Sequence, residues 1–131
     1  MSEVQVLLPD GWKRPPGWSA GIRIGDQIEI AGQFGWDGAT QTFVSNDFGE
    51  QWDLALSNVI AVAAAGGASA ADITTLRIYV TDLDAYRAAG PALGVSWKER
   101  FGRHFPTITL VEVSRLTQPQ ALVEIEAVVH V

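Results

Sequence analysis

The chain has no cysteine, two histidines, and only nine basic residues against fifteen acidic ones in a length of 131. Each shortage removes a class of chemistry. Without cysteine there is no disulfide, no thiol nucleophile and no thiolate metal site. His104 and His130 stand far apart and give no metal-ligand spacing, so neither a metal nor another cofactor is implied. A net charge of −6 leaves no concentrated positive surface for nucleic acid, whose phosphates demand one. The same balance disfavours anionic membranes. There is no basic, apolar leader and no apolar run of about 18 residues, so a cytoplasmic protein is expected. The remainder, 47% hydrophobic and 18% charged, describes a folded globular chain rather than a disordered one. Residues 1–131 read as a single domain long enough for a proper core, without repeats or linkers.

Apolar periodicity gives the order strands, helix, strand, helix, strands. Val4-Gln5-Val6-Leu7 reads as a short first strand. Ile22-Arg23-Ile24 and Gln27-Ile28-Glu29-Ile30 flank Gly25-Asp26 as a hairpin. Asn46 or Asp47 can cap a helix whose Phe48, Trp52, Ala55, Leu56, Val59, Val62 and Ala63 make one apolar stripe, and Gly66-Gly67 ends it. Leu76, Ile78 and Val80 mark a strand with Arg77 and Tyr79 on its other face. A second helix starts near Asp84, is disturbed at Gly90-Pro91, and continues through Trp97 and Phe101. Both helices can cover one face of a single mixed six-stranded sheet, an α+β arrangement.

The most informative segment runs from Phe105 to Val131. It reads as two alternating strands joined by Thr117-Gln118-Pro119-Gln120. On the second, Val123, Ile125, Ala127 and Val129 form an apolar face, and Leu122, Glu124, Glu126 and Val128 form the other. On the first, Ile108, Leu110 and Glu112 oppose Val111 and Val113. A face mixing Ile, Leu and Val with Glu suits neither a dry core nor open solvent; it suits a subunit interface or a cleft. With both helices on one side, the sheet leaves Tyr79, Glu112, Glu124 and Glu126 among Ile108, Leu110, Leu122 and Val128 uncovered, which is an association surface.

FPTITLVEVSRL followed by LVEIEAVV resembles the end of the Rid/YjgF family, the reactive-intermediate imine deaminases. PPGWSAGIRIGDQIEIAGQ, EQWDLALSNVIAVAAAGG, LRIYVTDLDAY and WKERFG agree in the same order, so the resemblance spans the chain from about Pro15 onward. It implies a chorismate-mutase-like fold, a barrel-like homotrimer, ligand clefts between subunits, and no cofactor. It implies that Glu124 orients or activates the water that attacks an imine carbon. A carboxylate partly desolvated in an apolar cleft has a raised pKa and can take a proton from water near neutral pH. The bland alternative is a structural hydrogen bond at the subunit contact. For Glu126 and Glu112 the structural role is the simpler one.

One departure matters. Deaminating relatives carry an arginine two residues after the proline of the Phe-Pro pair, where this chain has Ile108. That arginine would grip the carboxylate of a 2-imino acid with two charged hydrogen bonds. Three readings follow: the substrate lacks that carboxylate, the activity is lost, or another cation such as Arg14, Arg23, Arg103 or Arg115 replaces the anchor, although no spacing places another arginine in that slot and Arg115 reads most simply as a solvated residue at a strand end. Trp18 stands where the family has a tyrosine, offering a flat apolar wall and one N–H donor, or plain loop packing. Ala31-Gly32-Gln33 matches the family's Ser-Gly-Gln with the serine lost. Gly32 serves close backbone approach, and Gln33 fixes a loop or touches ligand. Trp36 lines the cleft or covers a core edge. Leu110 shares the face of Ile108; Thr109 offers a hydroxyl near the pocket, though alternation turns it away from Ile108. These replacements point to a larger, less charged small-molecule ligand, such as an aromatic one.

The sequence thus supports a Rid-like hydrolase acting on an imine, an enamine or a related C=N compound. The alternative is a non-catalytic trimer that binds a metabolite or a regulatory partner. The first expectation is assembly: sedimentation at micromolar concentration should show a trimer, and a charged residue in place of Leu110 or Val128 should weaken it. A stable monomer would end this reading.

Overall fold

Residues 3–131 are described by a computed structural model, and one sheet organises them. Its strands are β1 (Gln5–Leu7), β2 (Gly21–Ile24), β3 (Gln27–Phe34), β4 (Ile73–Val80), β5 (Thr107–Glu112) and β6 (Val123–His130), in the spatial order β1-β2-β3-β6-β4-β5. Every neighbouring pair is antiparallel except β4 with β5. Helix α1 (Phe48–Ala65) lies against β3 and β6, and α2 (Leu83–Ala88) and α3 (Gly90–Phe101) pack on α1.

The sheet has a covered face because α1 presents one apolar stripe. Ala55, Leu56, Val59 and Val62 are fully buried against Ile28, Ile78 and Ile125. Each of the larger ones, Leu or Val or Ile, contributes about 1.5–3 kcal/mol of burial. Asp47 caps α1 by accepting the Glu50 N–H at 3.0 Å. Gly35 lets β3 run under the helix: a Cβ there would stand 2.1 Å from the Gln51 carbonyl oxygen.

The sequence reading is corrected in three places. Among the described residues there are three α-helices rather than two. Ala89 closes α2 by donating to the carbonyl of Ala85 at 3.1 Å, and Pro91 then falls in the first turn of α3, where its missing N–H costs nothing. The two C-terminal strands are not paired: β4 lies between β5 and β6. Most consequential is the face of β5. Its register pairs Ile108 with Leu76, Leu110 with Ile78 and Glu112 with Val80. Laterally paired residues share a face, so Ile108, Leu110 and Glu112 lie on the helix side, opposite Glu124 and Glu126. Leu110 and Leu122 pack against the core, and Glu112 accepts the Leu83 N–H at 3.0 Å at the start of α2. Thr109 and Val111 take the open face. Alternation within β5 was right, but a strand mixed on both sides does not reveal which side meets the helices. A charge at Leu110 therefore tests folding, and Val128 remains the test of assembly.

A buried amide ties the loops to α1. Gln51 is fully buried. Its Nε2 donates to the carbonyls of Ser45 at 2.9 Å and Gln120 at 3.0 Å, and its Oε1 accepts the Leu122 N–H at 2.8 Å. Gln51→Leu strands all three backbone groups, and each unsatisfied buried group costs about 1–3 kcal/mol. The expected loss of stability is about 3 kcal/mol or more, read as a lower urea midpoint at unchanged slope. A loss under about 1 kcal/mol would show that water reaches these groups.

Candidate functional site

The site begins at a defect in the sheet. Between β3 and β6 the register steps from Ile30↔Ala127 to Gln33↔Ile125, so three residues of β3 span two of β6. The extra residue is a bulge at Ala31-Gly32, and bulges re-aim side chains. The Ala31 N–H donates to the Ala20 carbonyl at 2.9 Å, which fixes the loop carrying Trp18 to the bulge. Beyond it, Phe34 pairs with Glu124 on the open face.

The Glu124 side chain lies directly over Gly32. A Cβ at Gly32 would meet Glu124 Cδ at 2.7 Å and Oε2 at 2.8 Å, so only glycine permits this approach. The cross-strand neighbours of Glu124 are both aromatic, Phe34 on β3 and Tyr79 on β4. These surroundings leave the carboxyl half-buried. Among the described residues no side-chain hydrogen bond or ion pair engages it. Burial pushes its pKa above the ordinary 4.5, and the nearby charge of Glu126 adds to the rise.

Glu126, two residues along the same face, is held differently. Tyr79 donates its phenolic O–H to Glu126 Oε1, and the Arg77 guanidinium stands 3.5 Å from Oε2. The hydrogen bond to Glu126 is the largest cause of a raised Tyr79 pKa, with burial next. Of two adjacent carboxylates, one is clamped and the other is unpartnered.

The remaining expected site residues fall into two groups. Trp18, Gly32, Gln33, Phe34 and Trp36 line a small cavity of about 20 Å³, room for one water molecule. Trp18 is 52% exposed and forms its outer wall. Gln33 pairs with Ile125, points to the helix side, is buried, and donates to the Ala31 carbonyl at 3.0 Å. Its role is thus to hold the bulge. Ile108, Thr109 and Leu110 sit on edge strand β5, two strands from Glu124. Ile108 is exposed on the opposite face. Sequence reasoning missed Phe34 and the clamp made by Tyr79 and Arg77. It also missed the packing of Trp36 with Phe34 and Phe43, at centroid distances of 5.2 and 5.4 Å. The isolated Phe at the end of a strand, next to a glycine-rich loop, was the available signal for the first.

Two substitutions test this electrostatic account by carbon-13 NMR of the Glu124 carboxyl. Gly32→Ala pushes the side chain toward solvent and should lower its titration midpoint toward 4.5. Glu126→Gln removes the neighbouring charge and should lower it as well. The sign for stability follows. A carboxyl raised in the folded state favours folding below its unfolded pKa, and that contribution is lost as pH climbs through the folded value. Glu124→Gln should therefore gain stability relative to wild type as pH rises through that window. A midpoint unchanged in both substitutions would contradict the burial and charge assignments.

Comparison with known proteins agrees with this fold. The family model described as endoribonuclease L-PSP matches residues 13–131. A RutC family protein of Pyrococcus abyssi is 31% identical over 127 residues, covering 96% of each chain. A 2-iminobutanoate/2-iminopropanoate deaminase of Dermatophagoides farinae is 29% identical, covering 98% of each. Among solved structures, Escherichia coli TdcF with bound serine superposes with TM-score 0.82 at 26% identity, covering 97% of this chain and 98% of that one. With the family model matched over all but the first dozen residues and the six-stranded sheet shared, the chain is a member of the Rid/YjgF (endoribonuclease L-PSP) family.

Proposed function

We propose that this protein hydrolyses a C=N compound, an imine or enamine, with Glu124 handling the water in a cleft between subunits of a homotrimer. The observation that carries the reading is the unpartnered, half-buried Glu124 pressed against Gly32 between two aromatic neighbours. In such a step Glu124 takes a proton as the water oxygen bonds to the imine carbon. The C=N π pair goes to nitrogen, which Glu124 reprotonates to give the carbinolamine. The carbinolamine hydroxyl then passes its proton through Glu124 to nitrogen as the C–N bond breaks, leaving a carbonyl compound and ammonia. The raised pKa makes Glu124 a stronger base than an exposed glutamate. The relative from Dermatophagoides farinae is named for such a reaction, and the TdcF structure holds serine, a small amino acid.

Opposite faces support the oligomer. Ile108 and Glu124 cannot share a cleft within one chain, since they lie on two sides of the sheet. A second copy can bring the Ile108 side of its β5 to the Glu124 side of the first. Phe105 at 73% and Ile108 at 47% exposure then become covered.

Ile108 sets this protein apart from a general 2-imino acid deaminase. Charge-assisted hydrogen bonds contribute about 1.5–3 kcal/mol each, so the loss of two lowers activity on simple 2-imino acids on the order of a hundredfold or more. The same substitution favours a second reading, a non-catalytic trimer that only binds its metabolite. A coupled amino-acid oxidase assay on 2-aminoacrylate decides. Wild type should be slow, Ile108→Arg should gain activity, and Ile108→Arg with Glu124→Gln should lose it. Wild-type activity equal to that of an arginine-bearing relative would overturn the role given to Ile108. A gain that survives Glu124→Gln would remove Glu124 from the reaction.

A further inference from the structure

We propose that Arg115 anchors an anionic group of the ligand, and that the substrate carries its carboxylate several atoms away from the imine carbon. The inference rests on the assignment of Glu124 as the water-handling group. It starts from the fate of the arginines. Arg23 is consumed at the end of α1, donating to the carbonyls of Gly66 at 2.5 Å and Gly25 at 3.0 Å. Arg77, Arg87 and Arg100 face Glu126, Asp84 and Asp53. Arg103 precedes β5, at the end of that strand remote from Glu124. Arg14 stands by Trp18 in a groove of about 240 Å³ at the β1 edge, three strands from Glu124.

Arg115 is placed differently. It lines a cavity of about 750 Å³ together with Thr81, Ser114, Thr117 and Gln118. These four side chains can donate hydrogen bonds, and Arg115 adds a planar fork of donors matched to a carboxylate. No carboxylate lines the cavity, in a chain with fifteen acidic residues. None of the three ion pairs among the described residues involves Arg115. An anion therefore meets attraction here without a competing acid.

The register locates the cavity relative to Glu124. The Val113 N–H donates to the Val80 carbonyl at 2.8 Å and the Thr81 N–H to the Leu122 carbonyl at 3.2 Å. Ser114 and Arg115 thus continue past the Val80 row, at the end of the sheet where β6 begins. Leu122 on the cavity wall is two residues from Glu124, roughly 7 Å of extended chain. A carboxylate bonded directly to the imine carbon cannot occupy the cavity while that carbon sits at Glu124. One carried several atoms away extends toward it. This reconciles the isoleucine at 108 with a site that still recognises an acid.

The test uses stable oxo acids as probes, their ketone carbon standing for the imine carbon: pyruvate, 4-oxopentanoate, 5-oxohexanoate, and the neutral pentan-2-one. Binding is read by amide NMR titration, which also reports folding of each variant. Wild type should bind the 4-oxo or 5-oxo acid at least about tenfold tighter than pyruvate or the neutral ketone. Arg115→Gln should erase that advantage, and Arg115→Lys should keep part of it. Glu124→Gln should leave the binding order intact, which separates this proposal from the hydrolytic reading. Pyruvate binding as tightly as the longer acids, no binding of any acid, or an Arg115→Gln protein that is folded and binds unchanged would each overturn it.

Discussion

One strand carries the whole arrangement. β6 lies between β3 and β4, and its alternation must satisfy a helix-covered core on one side and the open face on the other. Val123, Ile125, Ala127 and Val129 are buried under α1, and that commitment fixes where Glu124 and Glu126 point. A slip of one residue would bury both carboxylates under the helix and expose four aliphatic side chains, so the register is strongly specified. The position of the candidate catalytic carboxyl is thus a by-product of core packing and needs no stabilising contact of its own.

The electrostatics follow from that placement. Two carboxylates on alternate positions of one face repel, and the fold handles them unequally. Glu126 receives the Tyr79 hydroxyl and the Arg77 guanidinium. Glu124 receives the backbone of Gly32 and two aromatic flanks, which desolvate it without offering a hydrogen bond. Desolvation and like charge both favour the protonated form. The bulge at Ala31-Gly32 makes this possible, because it brings bare backbone where a side chain would otherwise displace the carboxyl.

Much of this was legible in the chain. The stripe of α1, the hairpin around Gly25-Asp26 and the faces of β6 came from periodicity, since each has a one-sided apolar pattern. The faces of β5 did not. Thr107-Ile108-Thr109-Leu110-Val111-Glu112 is mixed on both sides, and only its parallel register with β4 decides which side meets the core. That register depends on the crossover through α2 and α3, which no local pattern encodes. The unequal treatment of Glu124 and Glu126 was equally out of reach. It depends on Tyr79 and Arg77, forty-seven and forty-nine positions away from Glu126 in sequence, becoming its neighbours across a strand pair. The Gly32 contact was half visible: a glycine inside a strand signals close approach, but not to which side chain.

The central claim is that the unpartnered Glu124 is the group whose ionisation permits hydrolysis. The most direct measurement compares two quantities on the same protein: the acid limb of kcat/KM for imine hydrolysis, and the carbon-13 titration midpoint of Glu124 without substrate. The acid limb of kcat/KM reports the essential base of the free enzyme. The account predicts that the two pKa values coincide above 4.5 and move down together in Glu126→Gln. A limb that stays in place while the Glu124 midpoint moves, or hydrolysis that persists in Glu124→Gln with an unchanged pH profile, would contradict it.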